Sequence, residues 1–239
     1  MLKNTLLALI LITVCSFTPK QNQKRILVFS KTKGFRHGSI GAGKTMFLTL
    51  GKQQNVAVDT TEDAGFFTPE KLKQYNAVVF LNTTGDVLDS VQQIAFQNYI
   101  HNGGGYVGIH SATDTEYDWP WYNKLAGAYF DSHPAPQHAH YDVIDKNFPA
   151  TKNLPDTMNR FEEIYNFKSL QKDILTFLIK VDETSYTGGN MNNFHPNTWY
   201  HKFDGGRAFY TEFGHHDETY SDPVFQQIVW KGLEWAMKK

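Results

Sequence analysis

The run Gly103-Gly104-Gly105-Tyr106-Val107-Gly108-Ile109-His110-Ser111-Ala112 constrains the fold more than any other stretch of the chain. A short apolar strand stops there at a Gly-x-His-Ser turn. In doubly wound α/β proteins such a turn holds a reactive side chain out of the sheet, at the carboxyl edge where ligands bind. The occupant here is His110. Ser or Cys at an elbow attacks an acyl carbon, whereas an imidazole serves as base, acid or metal ligand, which argues against amidase or esterase chemistry. The plainer alternative is that His110 only ends a strand and bonds to backbone.

The flanking pattern supports the same architecture. Residues 25–30 read as a buried strand, 39–53 as a helix with Met46, Phe47 and Leu50 on one face, and 55–60 as a second strand. Thr68-Pro69-Glu70 opens a helix, 77–81 form a third strand, and Asp89 caps a helix whose face is Val91, Ile94, Ala95 and Tyr99. The glycines from Gly103 end that helix, and 106–109 make the fourth strand. This alternation implies a parallel sheet with helices on both faces. Beyond His110, extended stretches at 140–144, 160–167 and 174–181 are expected as an antiparallel extension. Segments 199–203 and 207–213 flank Asp204-Gly205-Gly206 as a hairpin, and Asp222-Pro223 opens a last helix with a stripe of Val224, Ile228, Gly232 and Trp235. There is no internal repeat or low-complexity tract, so 24–239 are expected to form one domain.

The first residues point to export. Lys3 precedes an apolar run from Leu6 to Val14, too short to span a bilayer and of signal-peptide length. Val14-Cys15-Ser16 offers small residues for cleavage after Ser16, with 1–16 as the signal peptide; the alternative is a lipid anchor on Cys15. A periplasmic or secreted location follows, with no transmembrane segment after removal of the signal. Cys15 is the only cysteine, so the mature domain has no disulfide, catalytic thiol or thiolate metal site. A net charge of −1, from 23 basic and 24 acidic residues, gives no footprint for nucleic acid. A small neutral ligand fits better.

One motif misleads. Gly38-Ser39-Ile40-Gly41-Ala42-Gly43-Lys44-Thr45 satisfies the letter of the phosphate-binding P-loop. That loop needs its first glycine directly after the strand, yet residues 31–37 intervene, and the third strand leads into Asn82 instead of a magnesium-holding Asp. Lys44 is therefore read as a helix-face residue.

Gly34-Phe35-Arg36-His37-x-Ser39-Ile40, the glycine-rich elbow at 103–111, and Gly206-Arg207-Ala208-Phe209-Tyr210 with Gly214-His215 together resemble the ThuA-like (trehalose utilisation) family across nearly the whole mature chain. The resemblance implies a class I glutamine-amidotransferase-like fold, a flavodoxin-like doubly wound sheet. In amidotransferases the elbow carries the catalytic Cys; here it carries His110, and the strand ending at His215 lacks the His-Pro-Glu continuation, so glutaminase activity is out of reach. ThuA-like proteins are associated with disaccharide catabolism through 3-keto-sugar intermediates, which gives a context more than a mechanism.

His37, His110 and His215 each follow a separate strand and are expected to converge at one sheet edge. His133 is a fourth candidate, with His138 and His140 nearby. Of Glu162 and Glu163, neighbours that face opposite ways in an extended segment, only one can point inward; Glu163 is favoured, with Tyr165 on its face. His216 is expected at the surface, and His101 in the last turn of a helix. Neutral imidazoles with one carboxylate suit zinc or another divalent ion held by His37, His110 and His215. They equally suit metal-free proton removal beside a carbonyl, the step a 3-keto sugar needs for elimination or isomerisation. Trp119, Trp121 and Tyr122 are expected to wall a sugar pocket or to plug the sheet edge, with Asn82, Thr83, Asp114 and Arg36 as polar contacts; Arg36 has the alternative of a structural ion pair. The leading expectation is an exported carbohydrate-processing enzyme, a lyase, isomerase or hydrolase. The competing one is a non-catalytic sugar-binding module.

Overall fold

The computed structural model describes residues 23–238. The expected signal peptide, and the alternative of lipidation at Cys15, lie outside the described residues. Eleven strands and five α-helices follow in the order β1 (Arg25–Phe29), α1 (Ile40–Gln53), β2 (Ala57–Thr61), α2 (Pro69–Leu72), β3 (Ala77–Leu81), α3 (Ser90–His101), β4 (Gly105–Ile109), α4 (Pro120–Ala126), β5 (Tyr129–Ser132), β6 (Gln137–Val143), β7 (Thr157–Glu162), β8 (Asn166–Lys168), β9 (Thr176–Val181), β10 (His195–Phe203), β11 (Gly206–Thr211) and α5 (Pro223–Ala236). No helix among the described residues is long and apolar enough to cross a membrane.

Nine strands form one sheet in the order β2-β1-β3-β4-β11-β10-β9-β6-β7, and β5 pairs with β8 in a small second sheet. The pairs β2–β1, β1–β3, β3–β4 and β4–β11 are parallel, while β10, β9, β6 and β7 continue antiparallel. The first five positions have the flavodoxin-like order, with β11 as fifth strand. The expected fold class therefore holds. The Asp204-Gly205 hairpin does more than extend the sheet: it turns β10 back so that β11 enters the parallel half, pairing Arg207 with Gly105 and Thr211 with Ile109.

The central strands β3 and β4 are buried along their whole length, as strands covered on both faces must be. Side chains alternate between two cores. Ile26 and Val28 of β1 pack with Met46 and Phe47 of α1 and Ile228 and Leu233 of α5. Leu27 and Phe29 pack on the other face with Leu72, Phe96 and Tyr122. Two expected helix faces are rotated. Val91 and Ile94 of α3 are 73% and 62% exposed, because Phe96 enters a ring cluster with Phe67, Phe80 and Tyr106 and sets the helix by its bulk. In α5 the buried face runs through Phe225, Ile228, Val229 and Leu233, leaving Val224 and Trp235 half-buried.

The P-loop look-alike has no loop. Gly41, Gly43 and Lys44 lie inside α1, and the Gly43 N–H already bonds the Ser39 carbonyl at 2.9 Å, so that amide is not free for a phosphate.

Candidate functional site

Two parallel strands end in non-glycine residues held in the left-handed region, Asn82 after β3 and His110 after β4, each with φ of 49°. Such a conformation costs roughly 1–3 kcal/mol and persists only where surrounding contacts impose it. At His110 those contacts are a hydrogen bond from the Tyr210 hydroxyl to its carbonyl at 2.7 Å and one from its Nδ1–H to the Glu212 carbonyl at 2.7 Å. The Tyr165 ring lies against the imidazole with centroids 4.4 Å apart. With the proton committed to Nδ1, Nε2 presents a lone pair to the carboxyl edge.

Three other segments arrive at that lone pair. His37 comes from the β1–α1 loop, His215 from the turn after β11, and Glu163 from the break between β7 and β8. Glu163 Oε2 lies 3.3 Å from His110 Nε2 and 3.0 Å from His215 Nδ1, and those two nitrogens are 3.3 Å apart. His37 adds a fourth ligand atom, all four lying within 4.8 Å of one another. Its Nδ1 is 3.3 Å from Ser111 Oγ. The loops are pinned together from below: Asn82 Nδ2 donates to Ser39 Oγ at 2.9 Å and to the Gly214 carbonyl at 3.2 Å, and Ser39 Oγ donates to that carbonyl at 3.0 Å.

Burial, followed by the neighbouring His110 and His215, lowers His37 to about 3. Burial also lowers His110, with Glu163 pulling the other way. For Glu163 burial pushes the carboxyl up, but the adjoining His110 and His215 imidazoles outweigh it and hold the group below the usual carboxylate range. Near neutral pH, His37 and His110 are thus uncharged and Glu163 is ionised. The His110 Nε2 lone pair and the Glu163 carboxylate then face each other as two acceptors. A tetrahedral ion with bonds of about 2.0–2.1 Å would space its ligands by roughly 3.3 Å. The 3.0–3.3 Å separations and the nitrogen and oxygen donor set fit a divalent ion of the zinc type.

A cavity of about 210 Å³ opens beside this cluster, lined by Phe35, His37, Asp114, Phe130, His133, Glu163 and Tyr165. His133 Nδ1 lies 3.2 Å from Glu163 Oε1. Asp114 accepts from the Tyr117 hydroxyl at 2.6 Å, and burial raises its carboxyl against that hydrogen bond.

The family model for trehalose utilisation, ThuA, matches residues 25–236. The chain belongs to the ThuA family. That membership places it in carbohydrate metabolism. Among solved structures it is similar to a ThuA-like protein from Bacteroides uniformis, at TM-score 0.76 and 24% identity over 92% of this chain and 93% of that one. A ThuA-like protein from Parabacteroides merdae follows at TM-score 0.73 and 19% identity, covering 90% of each. The β-galactosidase of Bacillus circulans sp. alkalophilus shares the fold at TM-score 0.56 and 11% identity, over 90% of this chain and 30% of that one. At such identities these likenesses bear on fold alone. No curated protein matches the sequence.

Against the ThuA fold, the expected site residues divide into two groups. His37, His110, His215, Glu163, His133, Tyr165 and Asp114 come together at the cluster or its cavity. Glu162 points the other way, to Arg160 and Thr219. Arg36 is engaged elsewhere, its two terminal nitrogens each 2.9 Å from Glu62, so the ion-pair alternative applies. Asn82 pins loops, and Thr83 is buried with its hydroxyl 2.8 Å from that of Thr115; neither faces the cavity. Trp119 and Trp121 stack on each other at 4.9 Å, and Trp121 Nε1 donates to Asp204 in the β10–β11 turn at the opposite edge. The sugar-wall reading of these tryptophans is therefore corrected, because the chain after His110 runs as α4 back along the sheet. Tyr122 is core, bonded to Tyr106 and the Ala112 carbonyl. His138 is exposed beside Asn159, His140 is exposed, His216 is half-buried against Phe161, and His101 ends α3 paired with Asp204. Sequence reasoning missed Phe35, Phe130, Ser111 and Glu212, whose roles depend on long-range partners and leave no local signal.

Proposed function

We propose that this chain is an exported carbohydrate-processing enzyme that binds a divalent ion through His37, His110, His215 and Glu163 and acts on a keto-sugar or glycoside in the adjoining cavity. The observation that carries the reading is the meeting of His110 Nε2, His215 Nδ1 and Glu163 Oε2 at 3.0–3.3 Å, with the His110 proton committed to the Glu212 carbonyl. Lewis-acid polarisation of a substrate carbonyl is the chemistry such an ion supplies when bound. The chain's own groups do the rest. Phe35, Phe130 and Tyr165 offer apolar surface to a sugar ring, and no lysine or arginine lines the cavity, which suits an uncharged substrate. His133 and the raised carboxyl of Asp114 are placed to take up or return a proton next to a carbonyl. Export is supported by the apolar run from Leu6 to Val14 behind Lys3. Elemental analysis of purified protein, run beside turnover assays on 3-keto-glycosides with and without chelator, tests the reading. Stoichiometric metal and chelator-sensitive turnover are expected. Protein that takes up no divalent ion sinks the metal, and sugar binding without turnover under any condition favours the binding module.

A further inference from the structure

Glu212 follows β11 directly and is 1% exposed, a carboxylate placed deep in the sheet that the chemistry above does not use. Its backbone carbonyl accepts the His110 Nδ1–H at 2.7 Å. Its side chain reaches the segment that carries Glu163: Oε1 accepts the Tyr165 backbone N–H, and Oε2 accepts from Asn197 Nδ2 at 2.7 Å. The Asn197 orientation is set in turn by Thr198, whose hydroxyl donates to Asn197 Oδ1 at 2.7 Å. Three residues further on, the same strand end delivers His215. One residue thus ties together three of the four segments that build the cluster.

Both Glu212 oxygens face N–H donors, and burial raises the carboxyl well above the usual carboxylate range against them. Among the described residues no lysine, arginine or histidine pairs with it.

We propose that Glu212 is the positioning residue of the cluster, fixing the tautomer of His110 through its carbonyl and the placement of Glu163 through its carboxylate, and thereby setting the affinity for a divalent cation. The inference rests on the reading of the cluster as a metal site. Outer partners of this kind typically contribute about 10–100-fold in metal affinity.

The test is calorimetric titration of zinc into metal-stripped wild type and Glu212→Gln, with thermal melts of both proteins with and without zinc. The amide keeps the shape but sets an NH₂ group against an N–H donor. Zinc binding is expected to weaken about 10–100-fold, with the stripped form's melting point moving far less than that of the zinc-bound form. Unchanged zinc affinity, or an equal drop in both melting points, overturns the inference while leaving the metal site standing. Wild type that takes up no zinc overturns the metal site and the inference with it. Should Glu212→Gln not fold, Asn197→Ala removes one of the two donors that fix the carboxylate; a several-fold loss of zinc affinity is then expected, and no loss counts against the role.

Discussion

The two edges of the parallel sheet hold similar side chains and use them in opposite ways. At the amino edge His101, Asp204, Trp119, Trp121 and Phe203 gather around the β10–β11 turn. Every polar pairing there is complementary: Asp204 accepts from Trp121 Nε1 at 3.0 Å and lies 3.0 Å from His101 Nδ1. At the carboxyl edge, lone pairs face one another, and His110 has no proton left for Glu163. A cavity of about 290 Å³ opens at the amino edge between Tyr75, Tyr99 and Gly104, yet no histidine or carboxylate lines it. Histidines, carboxylates and aromatic rings occur at both edges; what separates them is that acceptors meet without a shared proton at the carboxyl edge.

The sharpest way to break this contrast is to remove a ligand. His110→Ala or Glu163→Gln should abolish stoichiometric metal by elemental analysis and, with several kcal/mol of Lewis-acid stabilisation gone, lower turnover by about 10²-fold or more. Retained metal and activity would make the carboxyl edge as structural as the other.

Metal removal comes next. A divalent ion at a hundred times its dissociation constant stabilises the fold by about 2.7 kcal/mol, so stripping it should lower the melting point by roughly 5–10 °C, recovered on adding zinc. A melting point indifferent to chelator would refute tight binding.

Trp121→Phe probes the other edge. Losing the bond to Asp204 should cost about 1 kcal/mol, or about 2–4 °C in a melt, with turnover unchanged. A loss of sugar turnover at full stability would return the tryptophans to the site.

The smallest expected effect belongs to Glu62. Hydrogen bonds from Arg36, then Lys44, lower its carboxyl from an ordinary value of 4.5 to about 2. A carboxyl lowered on folding stabilises the fold above its unfolded value and loses that contribution as pH falls through the folded one. Glu62→Gln should therefore cost well under about 1 kcal/mol at pH 7, since solvent screens a side chain 40% exposed. The difference from wild type should vanish between pH 4.5 and about 2. Unchanged turnover in this variant would keep Arg36 out of the chemistry.

The parallel core was legible from sequence because its signals are local. Buried strands are runs of apolar residues such as Ala77–Leu81, caps such as Thr68 and Asp89 mark helix starts, and the Gly108-Ile109-His110 elbow marks a strand end. The convergence of His37, His110 and His215 followed from topology, since residues after parallel strands share one edge, and period two selected Glu163 over Glu162. Tertiary structure decided what depends on rotation and on long-range partners. Phe96 turned α3 so that Val91 and Ile94 face solvent, α4 carried the tryptophans to the far edge, and Glu62 claimed Arg36 from 26 residues away. Glu212 shows the limit most clearly. Its neighbours in sequence are core strand residues, and its work is done on Tyr165 and His110, so nothing short of the folded chain could reveal that one carboxylate and one carbonyl hold the cluster in place.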